Sequence, residues 1–381
     1  MPRPRFLLIP ITLLALGCAS GYSTQAGNGA QSTYYAYVAA ESADLIHRIR
    51  FGADGASLDK TIPVGELSVE TEGPHALMIS QGGEYLYLTT GHGFPDGKLW
   101  KFRAGPDTLV QAPILLGRFP ATLDLTPDGL YAFVANFNLH GEKVPSTISV
   151  VYTPEMVEVA QIDTCTQPHG LRVGPRGTHL YTNCIQDDQL VELDTRTFKV
   201  SRRFSVAVGH EGSIPDGAYR PEDHMRPGQP KSPSCAPTWA EPSPGGSKVY
   251  VACNKGDTIL EIDTRDWVLL RKLPTGRGIY NLDITPDGKM LVGTLKQGAG
   301  VEFFDLERWA SVGIVRSSTT VTHGVAITPD SRFALVSVEG VGAEPGKVDI
   351  YDLRSLRRVG EVEVGQQAGG IVFWRMEKVD R

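Results

Sequence analysis

The sequence predicts an all-β fold, a closed seven-bladed β-propeller of four-stranded blades, and three observations predict it. The first is a short phrase that returns six times in one register, marked by His75, Ala121, His169, Thr238, Tyr280 and His323. Two residues after each marker stands Leu77, Leu123, Leu171, Ala240, Leu282 or Val325, and four after it Ile79, Leu125, Val173, Pro242, Ile284 or Ile327. Eight after it comes a turn residue, Gly83, Gly129, Gly177, Gly246, Gly288 or Ser331, then a second run such as Tyr85-Leu86-Tyr87-Leu88 or Val249-Tyr250-Val251. Alternation with period 2 on both sides of a glycine turn is a hairpin signal. Six hairpins in constant register mean a repeat protein.

The second observation is spacing. Successive markers lie 46, 48, 69, 42 and 43 residues apart, close to the ~40–50 residues of a propeller blade except for one stretched interval. A third strand ends in an acidic turn at Glu192-Leu193-Asp194-Thr195, Glu261-Ile262-Asp263-Thr264, Phe304-Asp305-Leu306 and Tyr351-Asp352-Leu353. These aspartates read as Asx-turn residues that bind backbone amides. The third observation is that the ends complement each other. Tyr34–Ala39, Leu45–Ile49 and Thr61–Val64 read as second, third and fourth strands, and Gly369–Trp374 as the missing first strand. One blade shared by the two termini closes the ring and removes exposed sheet edges.

Ahead of the propeller, Arg3 and Arg5 precede an uncharged apolar run from Phe6 to Gly17. It is shorter than the ~20 residues of a membrane span and has the flanks of a signal peptide. Leu14-Ala15-Leu16-Gly17-Cys18 resembles a bacterial lipobox, with Ala15 and Leu16 in the inverse of the usual order. The resemblance implies a lipidated Cys18, hence a protein held on a membrane by its lipid, at the periplasmic face of an outer membrane or at the cell surface. Ordinary secretion with cleavage further on is the alternative. Residues 19–33 are polar and rich in Gly, Ser and Gln, as a flexible tether is. The expected organisation is a signal peptide over 1–17, anchor and tether over 18–33, propeller over 34–376 and a tail over 377–381. A long insertion occupies 208–236.

A hydrophobic content of 41% suffices for a large core, and a formal net charge of −6 argues against a nucleic-acid partner. Four cysteines remain besides Cys18. In an exported chain an even set suggests disulfides, and the repeat selects among three connectivities. Cys165 and Cys235 lie just before the markers His169 and Thr238, while Cys184 and Cys253 each lie 15 residues after the same markers. An antiparallel hairpin returns to where it began, so the expected bridges are Cys165–Cys184 and Cys235–Cys253. No C-x-x-C spacing suggests a four-cysteine metal site. No C-x-x-C-H occurs, which excludes covalent c-type haem.

Leu180-Tyr181-Thr182-Asn183, Thr285-Pro286-Asp287-Gly288, and His323-Gly324-Val325 with Thr328-Pro329-Asp330 resemble the YVTN-type seven-bladed propellers, near the cytochrome d1 and lactonase-like propellers. The resemblance spans residues 34–374 and implies the propeller fold. Its motifs are structural, so no catalytic set is carried over.

Candidate site residues follow from the register. The markers open the innermost strands at one mouth of the central channel, which brings His75, His169, His323 and Tyr280 together as a ligand surface. Its three imidazoles are candidate transition-metal ligands. Hydrogen bonding to neighbouring loops is the structural alternative. The insertion carries His210, Glu211, Asp223 and His224 and is expected to leave from the same face as a lid, as are shorter loops bearing His92, Asn136, Asn138 and His140. No G-x-S-x-G, phosphate-binding glycine loop or H-E-x-x-H is present. Two functions follow: a lipid-anchored propeller that binds a protein, peptide or glycan, or an exported enzyme, either metal-dependent oxidoreductase or lactonase-like hydrolase.

Overall fold

The computed structural model describes residues 32–67, 69–93, 97–220 and 232–378. Cys18, Asp223, His224, the leader, the tether as far as residue 31 and the last residues of the tail lie outside the described residues. Seven antiparallel sheets form the ring. Blades one to six open with Pro74–Ile79, Pro120–Leu125, Pro168–Val173, Pro237–Pro242, Ile279–Ile284 and Thr322–Ile327. Each marker is the second residue of its innermost strand. The seventh blade joins the two ends of the chain: Ala368–Lys378 pairs antiparallel with Ser32–Ala40, followed outward by Leu45–Gly52 and Gly55–Pro63. The closing strand thus runs two residues beyond the expected end of the propeller.

Alternation along the strands sends one set of side chains into each gap between blades. Tyr37, Ile46, Leu77, Leu88, Trp100 and Trp374 fill the gap between the seventh and first blades. Phe133, Ile148, Leu171, Leu180 and Leu193 fill that between the second and third. Each such fully buried side chain contributes roughly 1.5–3 kcal/mol. The turns behave as their sequence reads. Asp194, Asp263 and Asp352 each accept two or more turn amides through Oδ1. In the Thr-Pro-Asp phrases the hydroxyls of Thr126, Thr285 and Thr328 donate to Asp128, Asp287 and Asp330, so this motif is turn chemistry.

Two disulfides are present, Cys165–Cys184 and Cys235–Cys253. The first spans two blades rather than one hairpin. Cys165 belongs to Val157–Thr166, the outermost strand of the second blade, and Cys184 to His179–Cys184, the second strand of the third. Among the described residues no helix is long and apolar enough to cross a membrane.

Candidate ligand site at the channel mouth

The mouth is built by one device repeated in every blade. The residue two before each marker has a positive φ: Gly73, Phe119, Gln167, Ala236, Gly278, Val321 and Gln367. Its carbonyl accepts a hydrogen bond from the residue that follows the second strand of the same blade. These donors are Gly91, Phe137, Ile185, Asn254, Lys296, Glu339 and Glu41. Only two of the seven positive-φ residues are glycine, although a left-handed L-residue costs roughly 1–2 kcal/mol; the backbone bond offsets part of that cost. The clamp carries Lys296, Glu339 and Glu41, on three successive blades, to the rim of the channel.

Glu41 is the centre of the site. It sits in the one-turn 3-10 helix Glu41–Ala43, and its carboxylate is almost wholly buried. Oε1 lies 2.8 Å from Nε2 of His92, and Oε2 accepts from Gln367 Nε2 at 2.8 Å. Nδ1 of His75 lies 3.2 Å from Oε2, off the line of a good hydrogen bond. Burial alone would raise the Glu41 carboxyl, but His75 and His92 hold it well below the usual range. The Glu41 bond in turn raises the pKa of His92 against the effect of burial. Outward from Glu41, Nδ1 of His92 faces Nε2 of the exposed His140 at 3.2 Å. Phe119 stands edge-on to His75, His92 and His140.

The other markers form a second group. His169 donates from Nδ1 to the Thr238 carbonyl at 2.9 Å, which leaves Nε2 to accept from the Tyr280 hydroxyl at 3.1 Å. Burial pushes His169 down to about 3. Burial, then the Lys296 ammonium, holds His323 well below its ordinary value. Lys296 stays charged because Tyr280 and Glu339 outweigh its burial. Its Nζ lies 2.9 Å from Glu339 and 4.4 Å above the Tyr280 ring.

The structure therefore brings all four predicted channel residues to one mouth but does not aim the three imidazoles at one point. His75 and His323 have ring centroids 5.9 Å apart. The Tyr280 ring stands between His323 and His169, at 4.9 and 5.6 Å from them. The markers come from the first, third and sixth blades, and the fifth blade inserts its tyrosine between two of them. Among the described residues no three histidine, cysteine or carboxylate side chains are arranged to hold a metal ion. Behind the mouth the channel holds a cavity of only about 40 Å³, room for a few waters.

The described part of the insertion packs along the third blade. Gly212–Ile214 adds a fifth strand outside Lys199–Ser205 on the third blade, because the segment continues directly from that outermost strand. The Tyr219 hydroxyl donates to Asp187 at 2.8 Å, and Arg203 lies 4.1 Å over its ring. The Asp188 carboxylate accepts the amides of Ser234, Cys235 and Ala236. Between these anchors lies a groove of about 290 Å³ lined by Asp187, His210, Tyr219 and Arg220. Lys143, three residues past His140, donates to Gln186 at the edge of this groove. Mouth and groove are thus linked across the loop face.

Glu41, Lys296, Glu339 and Phe119 were not singled out from the sequence. A signal existed: Lys296 and Glu339 each lie 16 residues after their marker, and Glu41 holds the equivalent place in the closing blade.

These features define a seven-bladed β-propeller with a small channel cavity and a histidine-rich loop face. No protein-family model matches the chain, and no curated protein does. Among solved structures it is similar to a functionally unknown protein from Desulfotomaculum acetoxidans DSM 771, with a TM-score of 0.66 at 15% identity. The match covers 89% of this chain and 98% of that one. At that identity the likeness shows the fold alone.

Proposed function

We propose that the protein is an exported, lipid-tethered propeller that binds a protein, peptide or glycan along its loop face, from the channel mouth to the groove beside the insertion. The groove carries this reading. Its volume of about 290 Å³ approaches the ~300 Å³ at which ligand pockets begin, whereas the channel cavity of about 40 Å³ admits no organic ligand. Two disulfides support export, and the run ending at Cys18 supports the tether. Binding to a panel of immobilised peptides and glycans tests it. A partner of the wild type should be weakened at least tenfold by Tyr219→Ala combined with His210→Ala. A panel with no binder, or equal binding by the variant, would overturn it.

The enzyme reading is favoured by one feature. Glu41, His92 and His140 align a buried carboxylate, an imidazole and an exposed imidazole, as proton-transfer groups are aligned. Hydrolysis of a lactone, or a redox turnover, that is lost in His140→Ala would uphold it.

A further inference from the structure

We propose that His92 and His140 bind one transition-metal ion of the borderline class, Cu2+, Ni2+ or Zn2+, through Nδ1 and Nε2 respectively, with Glu41 as the outer-shell carboxylate. This is a different place from the channel trio, and it stands whether or not the groove binds an organic ligand.

Three observations carry it. The two nitrogens face each other at 3.2 Å. Two imidazole nitrogens each ~2.1 Å from one zinc-sized ion and this far apart subtend about 100°, near the tetrahedral angle. Second, His92 is prepared as a ligand. Metal-bound histidines almost always give their other ring nitrogen to a carboxylate, which settles the tautomer and orients the ring. Nε2 of His92 lies 2.8 Å from the buried Glu41, so its proton is held there and the Nδ1 lone pair is left facing His140. Third, the ring packs closely on Gly73. A side chain on Gly73 would come within 2.3 Å of His92 Cδ2, so the glycine is what lets the ring pack this closely. Phe119 stands edge-on to it at 5.1 Å.

Among the described residues no third histidine, cysteine or carboxylate completes the set. The remaining positions are open to water or to a donor on a bound ligand, as at sites that keep coordination positions free. Without metal, the Nε2 proton of a neutral His140 lies between the two nitrogens. When Nε2 takes the metal, His140 carries that proton on Nδ1, so metal binds the neutral form of both rings.

The test is titration of the untagged mature chain with Cu2+, followed by calorimetry and electron paramagnetic resonance. Wild type should bind one equivalent with nitrogen hyperfine structure. His140 is exposed, so His140→Ala should keep the fold and weaken that equivalent at least tenfold. Glu41→Gln should weaken it about 10- to 100-fold, the usual effect of losing an outer-shell partner. Equal Cu2+ binding by wild type and His140→Ala, or no saturable equivalent in the wild type, would overturn the site. The peptide and glycan panel has a separate readout, so either reading can fail alone.

Discussion

The indole nitrogen of Trp374 donates to the backbone carbonyl of Gly83 at 2.9 Å, across 291 positions of sequence. The bond ties the closing strand of the seventh blade to the first hairpin turn of the first. The ring also packs near Tyr37 and within 3.2 Å of where a side chain on Gly105 would lie. Closure of the ring is therefore a matter of side-chain packing as well as strand pairing.

Deleting residues 369–381 should expose the edge of Ser32–Ala40 and leave little soluble, protease-resistant protein. The milder Trp374→Ala should destabilise by about 3–5 kcal/mol, the usual cost of emptying a buried aromatic site, read by denaturant unfolding. A deletion variant that melts like the wild type would refute closure.

Both disulfides should survive non-reducing peptide mapping as Cys165–Cys184 and Cys235–Cys253. Each closes a loop of about 20 residues, for which chain entropy gives about 3 kcal/mol. Reduction should lower the melting temperature without dispersing the ring. Cys165→Ala with Cys184→Ala tests the staple between the second and third blades.

Deeper in the channel, burial raises the Glu241 carboxyl to about 8, with Arg172 opposing at 3.4 Å, and raises Asp283 to about 6. An unfolded glutamate ionises near ~4.3, so between these values the folded chain holds more protons than the unfolded one. This contribution is complete below the unfolded pKa and is lost as pH rises through about 8. The depressed His169 and His323 act with the opposite sign below about pH 6.5, so the comparison is made with a variant that keeps them. Glu241→Gln should gain stability relative to wild type as pH rises from about 5 to about 8 and then level off. A difference independent of pH would show that Glu241 is ionised throughout.

Labelled palmitate should enter the wild-type protein and be absent from Cys18→Ala. Identical, unlipidated processing of both would make this a secreted protein with no tether.

The seven blades, their register, the closing strand and both disulfides were legible in the sequence. Strand alternation, turn chemistry and a constant period are local signals, and each blade repeats them. The mouth of the channel was legible only in part. His75, His169, Tyr280 and His323 share a register position, and a register position is what a repeat encodes. Whether their nitrogens meet depends on rotamers and on which blades lie between them, and Tyr280 of an intervening blade separates two of the imidazoles. Glu41 joins His75 and His92 because the blade that carries it packs beside the first blade at the channel mouth. The same holds for the insertion. Its length was plain, but only the paired edge of Lys199–Ser205 decided that Gly212–Ile214 would extend a blade outward. The sequence by itself determined which backbone positions repeat. Contacts between side chains on neighbouring blades, which set the charge of Glu41 and the approach of His92 to His140, were decided only by how the blades pack.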